Sequence, residues 1–158
     1  MIKKCGTLYD VEWYNGKGAQ AHLLQQLDSD NSLVIKQYKG RHNWGLCTPQ
    51  KLARMIQKNR GIYEIILDTK QKVFFDVDAL TPTFPKVMSL LKDIFPNGDI
   101  NVSGSEVVGK YSYHIVVNNY YLNNVSQCNG IREFCKQNID LGFDWKVYTK
   151  NRAMKCIN

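Results

Sequence analysis

Apolar and polar residues alternate in short blocks along the first part of this chain. Residues 5–14 and 33–39 combine this alternation with β-branched and aromatic residues, which predicts two strands with a short polar connection or helix between them. Thr48 followed by Pro49 is typical of a helix start, as N-cap and first-turn residue. A helix is therefore predicted from this point to the neighbourhood of Gly61. Its inner face contains Leu52, Met55 and Ile56.

The middle of the chain predicts two strands and a second helix. Residues 62–67 and 73–78 are rich in Ile, Val and Phe, and the four polar residues between them indicate a hairpin. Thr83 then caps the helix, which ends at the Pro-Asn-Gly sequence of residues 96–98. Five residues form the apolar face of this helix: Val87, Leu90, Leu91, Ile94 and Phe95.

The last third of the chain continues the mixture of strands and helices. Residues 100–103 and 112–118 are predicted strands, with a turn near Gly109 between them, and residues 146–157 read as one or two more. A third helix is predicted at residues 125–138. Its inner face contains Cys128, Ile131, Phe134 and Cys135. Because hairpins and helices are mixed along the chain, the predicted class is α+β with a mostly antiparallel sheet.

Length and composition restrict the class of protein. The 158 residues suffice for one domain, predicted to span 1–158 with subregions 1–61 and 62–158. A hydrophobic content of 44% with 22% charged residues indicates a globular chain. There is no apolar run long enough for a membrane span and no secretory signal, which predicts an intracellular protein that does not engage a membrane. Five cysteines without a CxxC pair favour reduced thiols over a local zinc site.

The net charge of +7 is spread unevenly along the chain. Residues 1–60 contain ten Lys and Arg against four Asp and Glu, residues 61–109 four against seven, and residues 110–158 seven against three. An acidic centre between two basic segments suits a site that holds metal cations while its surroundings attract a polyanion such as a nucleic acid.

Asp76 and Asp78 are the most informative polar residues. They lie two apart within a run of Val and Phe, so on a strand both carboxylates project from one face. Two like charges about 7 Å apart repel each other unless a cation lies near them. The pair therefore predicts a divalent metal site for phosphoryl transfer. A third carboxylate would complete the site, either Asp144, which is predicted to begin a strand, or Asp140.

Two further groups of residues suit contacts with phosphate. Lys110, Ser112 and His114 share one face of a predicted strand, and an ammonium, a hydroxyl and an imidazole in line suit a triphosphate. Arg152 and Lys155 lie near the end of the chain. This pair could contact phosphate or a template backbone, but taken alone it is better explained as a solvated basic face.

These stretches together resemble the three motifs of the archaeo-eukaryotic primase superfamily. The similarity is greatest to its primase-polymerase (PrimPol) branch and to the primase domains of the primase-helicases of large DNA viruses. The family's acidic DxD or DxE motif is matched by residues 74–78 (FFDVD), and its K-x-S-x-H motif by residues 110–114 (KYSYH). Its D-x-x-V-Y-[ST]-x-N-R-x-[FM]-[RK] motif is matched by residues 144–155. This last match is the most specific, and it favours Asp144 over Asp140.

The resemblance implies a DNA primase/polymerase, a template-directed nucleotidyltransferase of DNA replication or damage tolerance. Its partners would be a single-stranded DNA template and primer, an NTP or dNTP, and a helicase domain or protein. Three carboxylates would hold two Mg²⁺ or Mn²⁺ ions: Asp76, Asp78 and Asp144. Five residues would contact the nucleotide or template: Lys110, Ser112, His114, Arg152 and Lys155. The implied architecture is a basic N-terminal α/β unit packed on an RRM-like sheet that contains all three motifs.

The chain departs from the family pattern in two ways. Lys155 stands where arginine is common, which replaces a bidentate phosphate contact by a point charge. Family catalytic regions usually continue into a zinc-binding segment or a helicase, so the chain is expected to be a minimal core or a piece of a larger protein. Lys39 and Arg41 are candidates for a further basic nucleotide contact.

Two functions are alternatives to a primase/polymerase: a metal-dependent nuclease, and a non-catalytic core that binds nucleic acid or nucleotide.

Overall fold

The computed structural model describes residues 1–38, 41–58 and 61–156, with the side chains in these ranges except those of Gln37, Tyr38 and Lys155. The helices in these ranges are α1 (Ala19–Leu24), α2 (Pro49–Lys58), α3 (Phe84–Ile94) and α4 (Asn129–Gln137), with 3₁₀ turns at Ile139–Leu141 and Trp145–Val147. The strands are β1 (Lys3–Leu8), β2 (Val11–Asn15), β3 (Ser32–Tyr38), β4 (Arg41–Cys47), β5 (Ile62–Ile66), β6 (Gln71–Ala79), β7 (Ile100–Val107), β8 (Lys110–Leu122) and β9 (Arg152–Lys155). No helix of the described ranges is long and apolar enough to cross a membrane.

The chain divides into two units, and its class is the predicted one. Met1–Ile66 and Ala153–Asn158 form the N-terminal unit, and Leu67–Arg152 form the central unit. The strand pairs whose register is described are all antiparallel. The prediction of an α+β protein with mostly antiparallel sheets is therefore confirmed.

The N-terminal unit is built on a six-stranded sheet in the order β1-β2-β4-β3-β5-β9. The single strand predicted at residues 5–14 is in fact the hairpin β1–β2, whose turn at Tyr9 and Asp10 has φ of 57° at both residues. Strand β4 was missed in the prediction, because its first residues are polar and exposed and show no inward-facing pattern. Helix α2 begins as predicted, with the Leu52 N–H donating to the Thr48 carbonyl oxygen at 2.9 Å.

Strands β5 and β6 do not form the predicted hairpin. β5 pairs with β3 in the six-stranded sheet, whereas β6 pairs with β8 in a separate three-stranded sheet of order β6-β8-β7. The polar residues between β5 and β6 therefore connect two sheets. Alternation within each strand shows that it is a strand but does not show which partner it takes, and this explains the error.

The core of the central unit surrounds Phe75 of β6. The Phe75 ring lies 5.5 Å from the ring of Phe143, 5.8 Å from Phe134 of α4 and 6.2 Å from Phe95, which follows α3, all measured between ring centroids. Helix α3 contributes two buried residues, Val87 and Leu91. Ile94, predicted on the same inner face, is 42% exposed because it lies at the end of the last turn.

Helix α4 and the β7–β8 turn follow the prediction with shifted bounds. α4 begins four residues later than predicted, and of its predicted inner face Cys135 is the fully buried member. β7 and β8 are joined by a turn at Val108 and Gly109, where Gly109 has φ of +81°. β8 is the middle strand of its sheet and pairs with both neighbours. It therefore places its own polar residues between those of β6 and β7.

Candidate functional site

The register of β6 and β8 brings four of the predicted site residues together. Asp76 lies directly opposite His114, and Asp78 lies directly opposite Ser112. Residues directly opposite each other in an antiparallel pair point to the same face of the sheet. We call Asp76, Asp78, Ser112 and His114 the polar face. Apolar residues occupy the other face of β8, where Tyr113, Ile115 and Val117 are buried.

Each carboxylate of the polar face contacts the β8 residue opposite it. The Ser112 hydroxyl donates a hydrogen bond to Asp78 Oδ1. His114 Nε2 lies 3.3 Å from Asp76 Oδ1, and these two side chains are only 16% and 17% exposed. Asp78 is exposed, whereas Asp76 lies deeper. The polar face therefore has an inner Asp–His pair and an outer Asp–Ser pair.

Asp76 Oδ1 receives no hydrogen bond from the described part of the chain. The atom is buried, and no group in the described ranges forms a hydrogen bond with it, since His114 is close but not aligned with it. A buried carboxylate oxygen without a donor is unfavourable in a protein interior, and a bound cation relieves this cost. The unsatisfied Asp76 oxygen is therefore a group that a bound metal ion would satisfy.

Asp144 lies across from Asp76 on the edge of β6 that does not pair with β8. A short antiparallel bridge joins Phe143 to Val77. The Asp144 N–H donates to the Asp76 carbonyl oxygen at 2.9 Å, and the Asp78 N–H donates to the Gly142 carbonyl oxygen at 2.9 Å. The bridge thus places the backbone of Asp144, the third predicted ligand, beside the backbone of Asp76. Asp140 lies outside the bridge, in the 3₁₀ turn Ile139–Leu141.

The local structure at Asp144 differs from the prediction. Asp144 does not begin a strand. It is the N-cap of the 3₁₀ turn Trp145–Val147, and its Oδ1 accepts a hydrogen bond from the Lys146 N–H at 2.8 Å. The apolar–polar alternation that suggested a strand arises because Val147 and Tyr148 are buried while Lys146 and Thr149 face solvent.

Among residues 1–38, 41–58 and 61–156, no three His, Cys, Asp or Glu side chains lie together in an arrangement that could hold a metal ion.

Tyr148 attaches this turn to β6. It is fully buried, its ring lies 5.0 Å from that of Phe74, and its hydroxyl donates to the Phe74 carbonyl oxygen. Burial raises the pKa of the Tyr148 hydroxyl well above its ordinary value of 10, so the group is a neutral donor at physiological pH. Because Phe74 is two residues before Asp76, Tyr148 holds the third motif against the strand of the first.

The predicted basic residues occupy different positions. Lys110 begins β8 and, by alternation, lies on the same face as Ser112 and His114. Arg152 begins β9, which belongs to the six-stranded sheet, and it is exposed. The expectation that one sheet contains all three motifs is therefore wrong, because the third motif divides between a 3₁₀ turn and β9.

Three other basic candidates can be placed only in part. Lys155 lies in β9, with its side chain outside the described part of the chain. Lys39 also lies outside it. Arg41 begins β4 and is exposed.

Ser103 and Ser105 of β7 extend the polar face and were missed in the sequence. Ser103 lies opposite His114, and Ser105 lies opposite Ser112. Both serines could have been found from the sequence. They lie as many residues before the turn at Val108 and Gly109 as His114 and Ser112 lie after it. Gly104 separates them, and a Cβ at this position would lie 2.8 Å from Cδ1 of Tyr113 and would overlap the Ser112 carbonyl oxygen. The close approach of β7 to β8 therefore requires glycine here.

The opposite face of this hairpin has a polar contact of its own. The Tyr113 hydroxyl donates to Oε1 of Glu106 at 2.6 Å. Burial, together with this bond to a carboxylate, raises the pKa of Tyr113 to about 12. Tyr113 is thus a structural donor on the core side of the sheet and does not belong to the polar face.

Comparison with known proteins adds no family assignment. No protein-family model matches this chain, and no curated protein matches it. The resemblance to the primase superfamily rests on the three motifs, and the chemistry of the site rests on the contacts of the polar face.

Proposed function

We propose that this chain is the catalytic core of a DNA primase/polymerase of the archaeo-eukaryotic type, which adds nucleotides to a 3′-hydroxyl along a single-stranded DNA template. The observation that supports this most strongly is the register of the polar face. It pairs two strand-borne carboxylates with a hydroxyl and an imidazole, and a backbone bridge adds Asp144 beside Asp76. Cation ligands beside donors to phosphate are the kinds of groups that catalyse nucleotidyl transfer.

The oxygen donors of the polar face are of the type that a hard divalent cation prefers, although no three acidic or histidine side chains of the described ranges lie together as a metal-holding group. Mg²⁺ and Mn²⁺ are bound mainly by oxygen ligands, and Asp76 offers a buried oxygen that no donor in the described ranges satisfies. Asp76, Asp78 and Asp144 would hold the ions, with one Asp144 oxygen already engaged by the Lys146 N–H. When bound, such ions would favour ionisation of the attacking hydroxyl and offset the charge on the pyrophosphate that leaves.

The residues of β8 would bind the nucleotide. A triphosphate along this strand would meet the Lys110 ammonium, the Ser112 hydroxyl and the His114 imidazole at two-residue spacing, each able to donate to a phosphate oxygen. His114 and Ser112 already contact the two carboxylates. The chain's own donors would therefore hold the triphosphate next to the groups that bind the cations.

Extension of a labelled primer on a template, with each nucleotide class and with Mg²⁺ or Mn²⁺, tests the proposal. We expect Asp76→Asn to reduce incorporation by roughly a hundredfold or more, because an amide is a poor ligand for these ions and removes a charge from the site. Asp93→Asn is the matched control, since Asp93 is an exposed acid of α3 in the same unit, and it should leave incorporation unchanged. Calorimetric titration with Mn²⁺ should show weaker binding for Asp76→Asn alone.

Three outcomes would contradict the proposal. If nucleotide incorporation survives Asp76→Asn, the Asp76 carboxylate takes no part in the reaction. Shortening of the labelled strand without nucleotide-dependent extension would assign a metal-dependent nuclease, for which the Asp76–His114 pair could orient water. Binding of DNA or nucleotide without either reaction would assign a non-catalytic core.

A further inference from the structure

A tryptophan with two cations beside it lies next to the candidate carboxylates. Trp145 follows Asp144 directly, in the 3₁₀ turn that Asp144 caps. The Arg132 guanidinium carbon lies 6.0 Å from the centroid of the Trp145 ring, and Lys136 Nζ lies 5.2 Å from it. We call Arg132, Lys136 and Trp145 the Trp145 surface; all three belong to the central unit.

The two cations share one face of α4. Arg132 and Lys136 are four residues apart on the helix, so both reach the indole from the α4 side. Glu133 pairs with Lys136 at 2.6 Å, and within the described ranges Arg132 Nε is buried without a hydrogen-bond partner. Two positive groups are thus gathered at one aromatic ring. Lys136 already has a carboxylate partner, whereas Arg132 has a donor that is unsatisfied in the described part of the chain and that an anion could satisfy.

The indole itself is not closed off by the protein. Trp145 remains partly exposed, in contrast to Trp13, which is 4% exposed and belongs to the core of the N-terminal unit. A partly exposed indole can stack on a nucleobase, and neighbouring guanidinium and ammonium groups can bind the phosphates on either side of that base. Stacking of this kind tolerates any base sequence, as a template-directed enzyme requires.

We infer that the Trp145 surface binds single-stranded nucleic acid, with a base stacked on Trp145 and the adjoining phosphates on Arg132 and Lys136. This inference deepens the proposed function, on which it rests for the role of the bound strand as template. Because Trp145 adjoins Asp144, and Asp144 lies across from Asp76, a strand bound here would pass beside the carboxylates. It can be tested by DNA binding alone, without catalysis.

Binding of a labelled oligothymidylate to the full chain, followed by fluorescence anisotropy, is the first measurement. We expect Trp145→Ala to weaken binding on the order of tenfold or more, and Trp145→Phe to retain most of the affinity. Trp44→Phe is the matched control, since Trp44 is a partly exposed tryptophan of β4, and it should bind as the wild type does. Quenching of intrinsic tryptophan fluorescence on titration should vanish in Trp145→Phe and persist in Trp44→Phe.

Salt dependence separates the phosphate contacts from the stacking contact. Arg132→Met and Lys136→Met should each weaken binding and lower the slope of log affinity against log salt by about 0.7, as expected for one phosphate contact on a single strand. Lys92→Met removes the same charge from exposed Lys92 of α3 and should leave the slope unchanged. Lys136 is 41% exposed, so its replacement is compatible with folding even if a tryptophan variant does not fold.

The outcomes distinguish this inference from the proposed function. If wild type and Asp76→Asn both bind DNA through Trp145 but wild type does not extend the primer, the inference stands and the proposed function fails. If wild type extends primers while Trp145→Ala and Lys136→Met bind as the controls do, the inference alone is wrong. If wild type does not bind the oligothymidylate, the inference is wrong.

Discussion

At the scale of single residues, Tyr148 shows why a motif residue can be structural. The resemblance to the primase motifs marks Val147, Tyr148 and Thr149 as a signature, but the structure gives each a different environment. Val147 and Tyr148 are buried, and Thr149 is exposed. The Tyr148 hydroxyl satisfies a carbonyl of β6 that lies two residues before Asp76. Its contribution to the site is therefore to position the turn that contains Asp144.

Tyr148→Phe tests this structural role. The change leaves the Phe74 carbonyl oxygen without its side-chain donor in a buried position, and we expect a loss of about 1–3 kcal/mol in the free energy of unfolding. Urea denaturation followed by circular dichroism measures this loss. Tyr113→Phe is the matched control, with an expected loss of about 0.5–1.5 kcal/mol, because its acceptor Glu106 is exposed and can turn to water. Equal losses in the two variants would contradict the structural role of Tyr148.

At the scale of elements, the bridge between β6 and residues 142–144 determines where Asp144 lies. Gly142 has φ of +95°, and a Cβ on it would lie 2.7 Å from the Asp78 carbonyl oxygen. Both features require glycine, because the left-handed conformation strains other residues and the backbone of β6 cannot give way easily. One glycine thus permits the close approach of the backbone at Asp144 to the backbone of Asp76.

Gly142→Ala should destabilise the protein and displace Asp144 together. We expect a cost on the order of 2 kcal/mol or more in the free energy of unfolding, from backbone strain and overlap combined. Primer extension should fall further than the unfolded fraction explains, since the folded molecules would have Asp144 out of place. Gly130→Ala in α4 meets nothing within 4 Å and should change stability by about 1 kcal/mol or less. Full activity of folded Gly142→Ala would refute the role of the bridge.

Elements with a clear apolar run or alternation were predictable from the sequence, and the elements that depend on distant partners were not. β8 alternates between buried and less buried residues, and β6 has a buried apolar run before Asp76, so both strands and the shared face of Asp76 and Asp78 were predicted correctly. β1, which is exposed throughout, was merged with β2 in the single strand predicted at residues 5–14, and β4 was missed because it begins with exposed polar residues. Alternation is a local property, which is why it located the strands and could not pair them.

The candidate site also has features that local sequence indicated and features that depend on distant partners. The residue types and spacing of Asp76, Asp78, Ser112 and His114 indicated their chemistry, and the register of β6 and β8 shows them opposite each other. Ser103 and Ser105 join this face only through the pairing of β7 with β8. The position of Asp144 depends on a bridge between segments far apart in the chain, and its place at the start of a 3₁₀ turn follows from the burial of Val147 and Tyr148. Neither can be read from local spacing.

At the scale of the whole molecule, charge and candidate chemistry belong to different units. The N-terminal unit contains eleven Lys and Arg against five Asp and Glu, whereas the central unit contains ten against nine. The polar face and the Trp145 surface are both in the nearly neutral central unit. The excess of positive charge in the N-terminal unit would attract a polyanion over a longer range and without base specificity. Under the proposed function, the N-terminal unit would attract nucleic acid and the central unit would position it.

The five free thiols can report on each unit separately, because each unit has a buried cysteine of its own. Burial raises the pKa of Cys47 to about 11 in the N-terminal unit and that of Cys135 to about 12 in the central unit. At pH 8 these thiols have almost no thiolate while folded, whereas in an unfolded chain about a quarter of each thiol is ionised. Alkylation at increasing urea, analysed by mass spectrometry, therefore shows where each unit opens.

With this measurement, Tyr148→Phe should lower the urea concentration at which Cys135 reacts and leave the midpoint of Cys47 unchanged. The reason is that Tyr148 and Cys135 share a buried cluster, with the Cys135 thiol 3.9 Å from the Tyr148 hydroxyl oxygen, whereas Cys47 belongs to the core formed by Val11, Trp13 and Met55. Cys5 is the internal control, because it is exposed and should react at the same rate throughout the titration. An equal shift of both midpoints would show that the two cores unfold as one cooperative unit, contrary to this expectation.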